Sequence, residues 1–194
     1  MTFQPNKYGY TVIGIILILL ILMMTNATIQ SKVLSTINYL KEKTWDFHSD
    51  RRIAKLHPNI RAKAKEFIIR AKKELGIKLR VTSSLRTFDE QEKLYNKGRT
   101  EKGKIVTNAK AGESYHNYGL AIDVVEIKDG KALWDNPNWD KIAELGKSIG
   151  FEWGGDWRGF TDKPHFQYSF GYSTAQLKLK KQSGEISNNY VNLV

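Results

Sequence analysis

The sequence predicts an α+β domain: a small, mainly antiparallel sheet with flanking helices, preceded by an N-terminal hydrophobic helix. Three observations lead there. Two segments, 57–77 and 136–151, repeat apolar residues at helical spacing, and three short segments, 78–84, 120–127 and 165–170, have strand character. Helices and strands mix without a regular βαβ rhythm, which argues against a parallel doubly wound sheet. A run of uncharged residues, 8–31, precedes all of them.

At 194 residues the chain has room for one domain of ordinary size plus an appendage. Within the uncharged run, "TVIGIILILLILMM" (11–24) is almost wholly apolar, and a helix of this kind crosses a hydrocarbon core about 30 Å thick. Residues 8–24 are therefore expected to be a transmembrane anchor, after a short N-terminal tail at 1–7. A cleaved signal peptide is the alternative, with "TNA" (25–27) as a small-residue cleavage site. The N-terminal amine and Lys7 precede the run and only Lys32 follows closely, which orients the N-terminus inward and the main domain outward. Both readings export the domain. Residues 25–52 read as a stalk or linker with some helical character, 53–175 as the globular domain and 176–194 as a basic and polar tail.

The helix at 57–77 places Ile60, Ala64, Phe67, Ile68, Ala71 and Leu75 on one stripe, with Pro58 at its start and Gly76 at its end. "KLRVTSS" (78–84) is a short strand. Thr87 and Glu90 have capping-box spacing and open a further helix. "LAIDVVEI" (120–127) is a strand followed by the turn-like "KDGK". The helix at 136–151 presents Trp139, Ile142, Leu145 and Ile149. In "HFQYSF" (165–170), Phe166, Tyr168 and Phe170 alternate with His165, Gln167 and Ser169.

The chain has no cysteine, which excludes disulfides, cysteine zinc sites and a thiol nucleophile. Its net charge is +11. Lys7, Lys32, Lys41 and Lys43 are nearly balanced by Glu42, Asp46 and Asp50, so the positive charge falls almost wholly after residue 50. A basic domain is drawn to polyanions such as nucleic acid, anionic lipid or an anionic cell wall. The basic residues are scattered and no nucleic-acid module is present, so no nucleic-acid partner is expected.

His116 and Asp123 lie seven residues apart in "ESYHNYGLAIDVVEI". On an uninterrupted strand they would face opposite ways. A bend through Asn117, Tyr118 and Gly119 corrects this, with Gly119 supplying a backbone shape that other residues resist. Pro164 pushes Lys163 toward an extended or turn conformation, and a turn at 162–164 lets Asp162 and His165 face one cleft. Two histidines and a carboxylate suit a catalytic zinc ion, since three protein ligands leave a fourth position for water. Taken singly, each residue also has an ordinary reading, as a satisfied core histidine or a turn aspartate. The pattern is not the helical HExxH signature.

"SYHNYGLAIDV" and "DKPHFQ" together resemble the two metal motifs of the zinc D-Ala-D-Ala carboxypeptidase and L-alanyl-D-glutamate endopeptidase family. "VTSSLRTFDEQEKLY" is similar to that family's arginine-bearing segment. "GRTEKGKIVTNAKAGES" and "WGGDW" resemble its endopeptidase branch, found in phage endolysins and bacterial cell-wall hydrolases. The likeness covers about residues 56–172. It implies a Hedgehog/DD-peptidase-like fold and one Zn2+ held by His116, Asp123 and His165. It implies Asp162 as general base, where the dipeptidase branch has Glu, and Arg86 as the cation that stabilises the oxyanion or grips the scissile carbonyl. Ser114 and Gln91 match positions near the site and are expected to contact substrate or to orient other groups, with simple capping as the alternative. Trp153 and Trp157 are read as rim and core packing rather than catalysis. The implied activity is hydrolysis of peptidoglycan stem peptides between L-Ala and D-Glu, with a D,D- or L,D-carboxypeptidase or a non-catalytic wall-binding module as alternatives. The expected partners are stem peptides and, through the N-terminal segment, a membrane; a monomer is the working expectation.

Overall fold

The computed structural model describes Leu17, residues 26–187 and residues 189–193. The chain falls into two compact units, Met1–Lys43 and Thr44–Val194. Leu17 excepted, the anchor expected at 8–24 lies outside the described residues. Among the described residues no helix is long and apolar enough to cross a membrane.

From Ala27 on, the segment read as a stalk lies in helix α1 (Ala27–Ala54). Asn26 starts it: its side-chain oxygen accepts from Thr28 N at 3.1 Å and from Ile29 N at 3.3 Å. The last turns carry the first structural residues of the second unit. Ser49 Oγ accepts from Val81 N at 3.2 Å, and Arg52 Nη1 donates to Val81 O at 3.1 Å. These bonds satisfy the outward-pointing backbone N–H and C=O of Val81 on an edge strand that would otherwise be open to pairing.

Helix α2 (Pro58–Leu75) follows its pattern, burying Ile60, Ala64, Phe67 and Ala71. Pro58 occupies the first turn, and Gly76 ends the helix at φ 69°, a left-handed conformation that favours glycine. Its N-cap is His57. The Nδ1 atom accepts from Asn59 N at 3.2 Å, while Nε2 donates to Val191 O at 3.0 Å. Both bonds together require the neutral ring, and burial lowers the His57 pKa below its ordinary 6.5. A lowered folded-state value means that the unfolded chain takes up the proton first as pH falls. His57 therefore contributes stability that is fully present above pH 6.5 and lost as pH drops through the folded value. We expect thermal midpoints to fall between pH 7.5 and 5 more steeply in the wild type than in His57→Asn, which keeps a capping acceptor but does not titrate. The cap itself contributes about 0.5–2 kcal/mol. Parallel slopes for the two proteins would contradict this role.

Strand β1 (Leu79–Ser83) leads to helix α3 (Phe88–Asn96). The capping box is formed: Thr87 Oγ1 accepts from Glu90 N at 3.1 Å and Glu90 Oε2 accepts from Thr87 N at 2.8 Å. Strand β2 (Ala121–Lys128) is the centre of the sheet and turns through Asp129 and Gly130, both at positive φ, into β3 (Lys131–Leu133). Helix α4 (Trp139–Ile149) starts three residues later than its apolar pattern suggests. Asn136 Oδ1 accepts from Asn138 N at 2.8 Å and its amide donates to Glu126, so these residues form a local turn instead of a helical one. Strands β4 (Glu152–Trp153) and β5 (His165–Gln167) complete an antiparallel sheet in the order β1-β2-β5-β4, with β3 on β2. The α+β architecture with an antiparallel sheet is thus as the sequence predicts.

The alternation at 165–170 exceeds the strand. Pairing stops at Gln167, and Phe170 sits at φ 51°, where the chain leaves the sheet. The core lies between the sheet and helices α2 and α4, around Phe67, Leu79, Ile122, Ile142 and Phe166. Gly146 lets α4 approach, because an added Cβ there would lie 2.6 Å from the Phe166 ring. Part of the segment read as a C-terminal tail is structured: helix α5 (Thr174–Gln182) buries Leu177, and the hairpin of β6 (Ile186–Ser187) and β7 (Tyr190–Val191) buries Val191.

Candidate active site

The seven-residue spacing resolves into a turn and a strand. His116 lies on a single 3-10 turn, Tyr115–Tyr118, capped by Ser114 Oγ, which accepts from His116 N at 3.3 Å. Gly119 follows at φ 68°, and a Cβ there would meet His57 N at 2.8 Å. Both the conformation and the close approach require glycine. Two residues later the chain enters β2, which carries Asp123. His165 lies directly opposite Asp123 on β5.

The three side chains converge, with one ligand atom from each lying within 4.8 Å of the other two. His116 Nε2 and His165 Nδ1 each lie 3.2 Å from Asp123 Oδ1. The far nitrogens are engaged: His116 Nδ1 donates to Ser84 O at 2.6 Å, and His165 Nε2 donates to Gln167 Oε1 at 3.1 Å. With both rings neutral, two nitrogen lone pairs and one carboxylate are therefore directed at one point. This donor set fits zinc, whose histidine ligands use one nitrogen while the other is held by an acceptor. Burial alone would raise the Asp123 pKa, but the charge and hydrogen bonds of His116 and His165 outweigh it and hold the carboxyl well below its ordinary range. For His165, burial opposes protonation, and its bond to Asp123 outweighs that effect and raises its pKa.

Asp162 is half-buried on the turn before β5 and lines the same cleft. Its backbone N–H donates to Gly154 O at 3.0 Å, and its carbonyl accepts from His165 N at 3.2 Å. Trp153 Nε1 donates to Lys163 O at 2.7 Å, tying the turn to β4. Gly154 is packed so closely that a Cβ would fall 2.5 Å from Asp162 O. Burial, and then the neighbouring Asp123 carboxylate, raise the Asp162 pKa. A carboxylate shifted toward neutrality is a better proton acceptor at working pH.

Arg86 enters from the loop after β1. Its backbone N–H donates to His116 O at 2.9 Å, which ties it to the metal-side turn. Nη1 donates to Gln91 Oε1 at 2.7 Å, Nη2 donates to Ser83 Oγ at 3.0 Å, and the same Nη2 lies 3.9 Å from Asp123 Oδ2. Gln91 is fully buried, donates to Ala109 O at 2.7 Å and does not line the cleft. Its place is behind Arg86, which fits the orienting alternative and not substrate contact. Ser114 does line the cleft as well as capping His116. Trp157 stands at the rim with its ring centroid 4.9 Å from that of His165, and Trp153 is in the core.

The sequence reading did not single out Gln167 and Glu152, which stand behind His165. Gln167 was detectable, two residues from His165 on the same face; Glu152 required knowledge of the strand pairing. It also did not anticipate that Val106, Thr107 and Asn108 form part of the cleft wall. The cleft encloses about 470 Å³, within the range of small-molecule and peptide sites.

A cleft with a His–Asp–His group, an acid and an arginine belongs to the class of metal-dependent hydrolases. Comparison with known proteins narrows this. A family model described as D-alanyl-D-alanine carboxypeptidase matches residues 107–168, the stretch that holds His116, Asp123, Asp162 and His165. The chain is 47% identical over 122 residues to the peptidoglycan L-alanyl-D-glutamate endopeptidase CwlK of Bacillus subtilis (strain 168), covering 58% of this chain and 72% of that one. It is 31% identical over 153 residues to the L-alanyl-D-glutamate peptidase of Listeria phage A118, covering 73% of this chain and 51% of that one. A crystal structure of the Serratia marcescens L-Ala D-Glu endopeptidase ChiX aligns at a TM-score of 0.46 and 25% identity, over 63% of this chain and 86% of that one. The chain belongs to the zinc D-Ala-D-Ala carboxypeptidase and L-alanyl-D-glutamate endopeptidase family.

Proposed function

We propose that the protein is a zinc peptidase that hydrolyses peptidoglycan stem peptides, cutting between L-Ala and D-Glu. The observation that carries this reading is the convergence of His116, Asp123 and His165 beside Asp162 and Arg86 in one cleft, in a chain 47% identical to a relative named for that activity. Zinc held by the three ligands would supply Lewis acidity, making water nucleophilic at neutral pH. Asp162 takes the proton of the attacking water and returns it to the leaving amine. Arg86, fixed by Gln91 and Ser83 before substrate arrives, faces the negative charge that develops on the carbonyl oxygen, so its contribution falls on the transition state. Ser114 lies where it can meet the peptide.

Trimming of the stem by a D,D- or L,D-carboxypeptidase is the second reading, favoured by the description of the matching family model. The two relatives named for the L-alanyl-D-glutamate bond cover more of the chain and favour the first. A non-catalytic wall-binding module has no need for a pre-fixed Arg86 or an Asp162 of raised pKa. The uncharged run at 8–31 supports export with the domain tethered at a membrane and facing the wall. The domain boundaries drawn from the sequence, with the peptidase at 53–175, belong to the same proposal. Positive charge would aid retention on anionic wall polymers, an effect that weakens with salt.

Protein stripped of metal by a chelator should not clear purified cell walls. Adding zinc should restore clearing at one ion per chain, and His116→Ala should lose both the ion and the clearing. Wall clearing unaffected by exhaustive chelation would overturn the proposal.

A further inference from the structure

His165 presents two nitrogens, and the zinc reading uses one. Nδ1 faces Asp123, while Nε2 faces Gln167 Oε1 at 3.1 Å. Gln167 is 7% exposed, and its amide nitrogen donates to Glu152 Oε2 at 2.8 Å. Glu152 and Gln167 sit directly across from one another on β4 and β5, with Glu152 at the surface.

These contacts have a direction. A carboxylate only accepts hydrogen bonds. Glu152 therefore draws the NH2 of Gln167 toward itself and leaves the amide oxygen facing His165. A carbonyl oxygen also only accepts, so Nε2 carries a proton. Asp123 Oδ1, 3.2 Å from Nδ1, accepts from that nitrogen while the ring is protonated, and the neutral ring that binds a metal keeps its proton on Nε2 and its lone pair on Nδ1. We infer that Glu152 and Gln167 form a polarity relay that holds His165 in the tautomer able to ligate zinc through Nδ1, with Glu152 as the positioning residue that sets the relay's direction. The inference rests on the proposed zinc role of His165. His116 reaches the same end by another route: its acceptor is the Ser84 backbone carbonyl, whose polarity no side-chain substitution reverses. Of the two histidines, His165 is the one whose far nitrogen meets a side chain, so there substitution can invert the arrangement.

Inversion is the test. Glu152→Lys offers only donors, which turns the Gln167 oxygen toward Lys and its NH2 toward His165 Nε2. The ring is then favoured with its proton on Nδ1, where zinc would bind. Gln167→Leu removes the acceptor altogether. The double substitution Glu152→Gln with Gln167→Glu rebuilds the order: an amide donates to a carboxylate, which accepts from Nε2–H. Zinc affinity is measured by competition with a chromophoric chelator, and the hydrogen-bonded Nε2–H proton of His165 is followed by NMR in the zinc-loaded protein. Glu152→Lys and Gln167→Leu should each weaken zinc binding about 10–100-fold and lose or shift the Nε2–H resonance. The double variant should recover both. Glu152 is exposed, so Glu152→Lys carries the test even where Gln167→Leu fails to fold. Single variants that bind zinc as the wild type does, with an unmoved resonance, would overturn the relay. So would a double variant as weak as the singles. A wild-type protein that binds no zinc through His165 would instead defeat the zinc reading itself, so the two failures are distinguishable.

Discussion

Asp162→Asn is expected to lower kcat/KM for a stem peptide by about 10²–10⁴-fold while zinc affinity stays within a few-fold of the wild type. Asparagine matches the shape of aspartate and leaves the backbone bonds to Gly154 and His165 in place. What it loses is the ability to accept and return a proton. Because Asp162 is outside the group of three ligand side chains, metal content separates this variant from a ligand variant. Retained zinc with lost turnover is the signature of a proton carrier. The loss should appear in kcat, since proton transfer belongs to the transition state and not to substrate binding. Wall hydrolysis that survives unchanged would remove Asp162 from the mechanism.

Arg86 carries the second large effect. Its guanidinium is held at two points, by Gln91 Oε1 and Ser83 Oγ, and lies beside Asp123. Arg86→Ala should lower kcat by about 10²–10³-fold, the range seen when one oxyanion donor is removed. Arg86→Lys should recover little. A single ammonium cannot meet Gln91, Ser83 and the substrate oxygen with the planar geometry that the guanidinium provides. Gln91→Leu should fall between the wild type and Arg86→Ala, because it frees one arm of the arginine without removing the charge. Equal kinetics for Arg86→Lys and the wild type would show that charge alone suffices and that the fixed geometry is irrelevant.

How much of this the sequence revealed depends on the distance over which each signal acts. His116, Gly119 and Asp123 are close along the chain, and their awkward spacing implied a bend; the structure has one, with glycine at the point where a Cβ would strike His57 N. The Thr87–Glu90 box and the stripe on α2 were legible for the same reason, being local patterns of cap and period. Gln91 was a different matter. Its identity drew attention, but a polar side chain placed at zero exposure is paid for by tertiary partners, Arg86 and Ala109, that no local pattern displays. Glu152 was invisible in the same way, since its link to His165 exists only once β4 pairs with β5. The strand expected at 165–170 ends early, although alternation persists into Tyr168 and Phe170, whose rings pack tilted against each other beyond the point where pairing ends. The end of α1 and the C-terminal hairpin lack strong periodicity. Single contacts recruit them to the second unit: Ser49 and Arg52 to Val81, and Val191 to His57.

The central claim is a particular bond cut by a particular metal site, and digestion of purified muropeptides followed by mass spectrometry tests it most directly. The zinc-loaded protein should release the stem from D-Glu onward and leave L-Ala on the glycan, and Asp162→Asn should release it about 10²–10⁴-fold more slowly. Free D-Ala with the L-Ala–D-Glu bond intact would contradict the account.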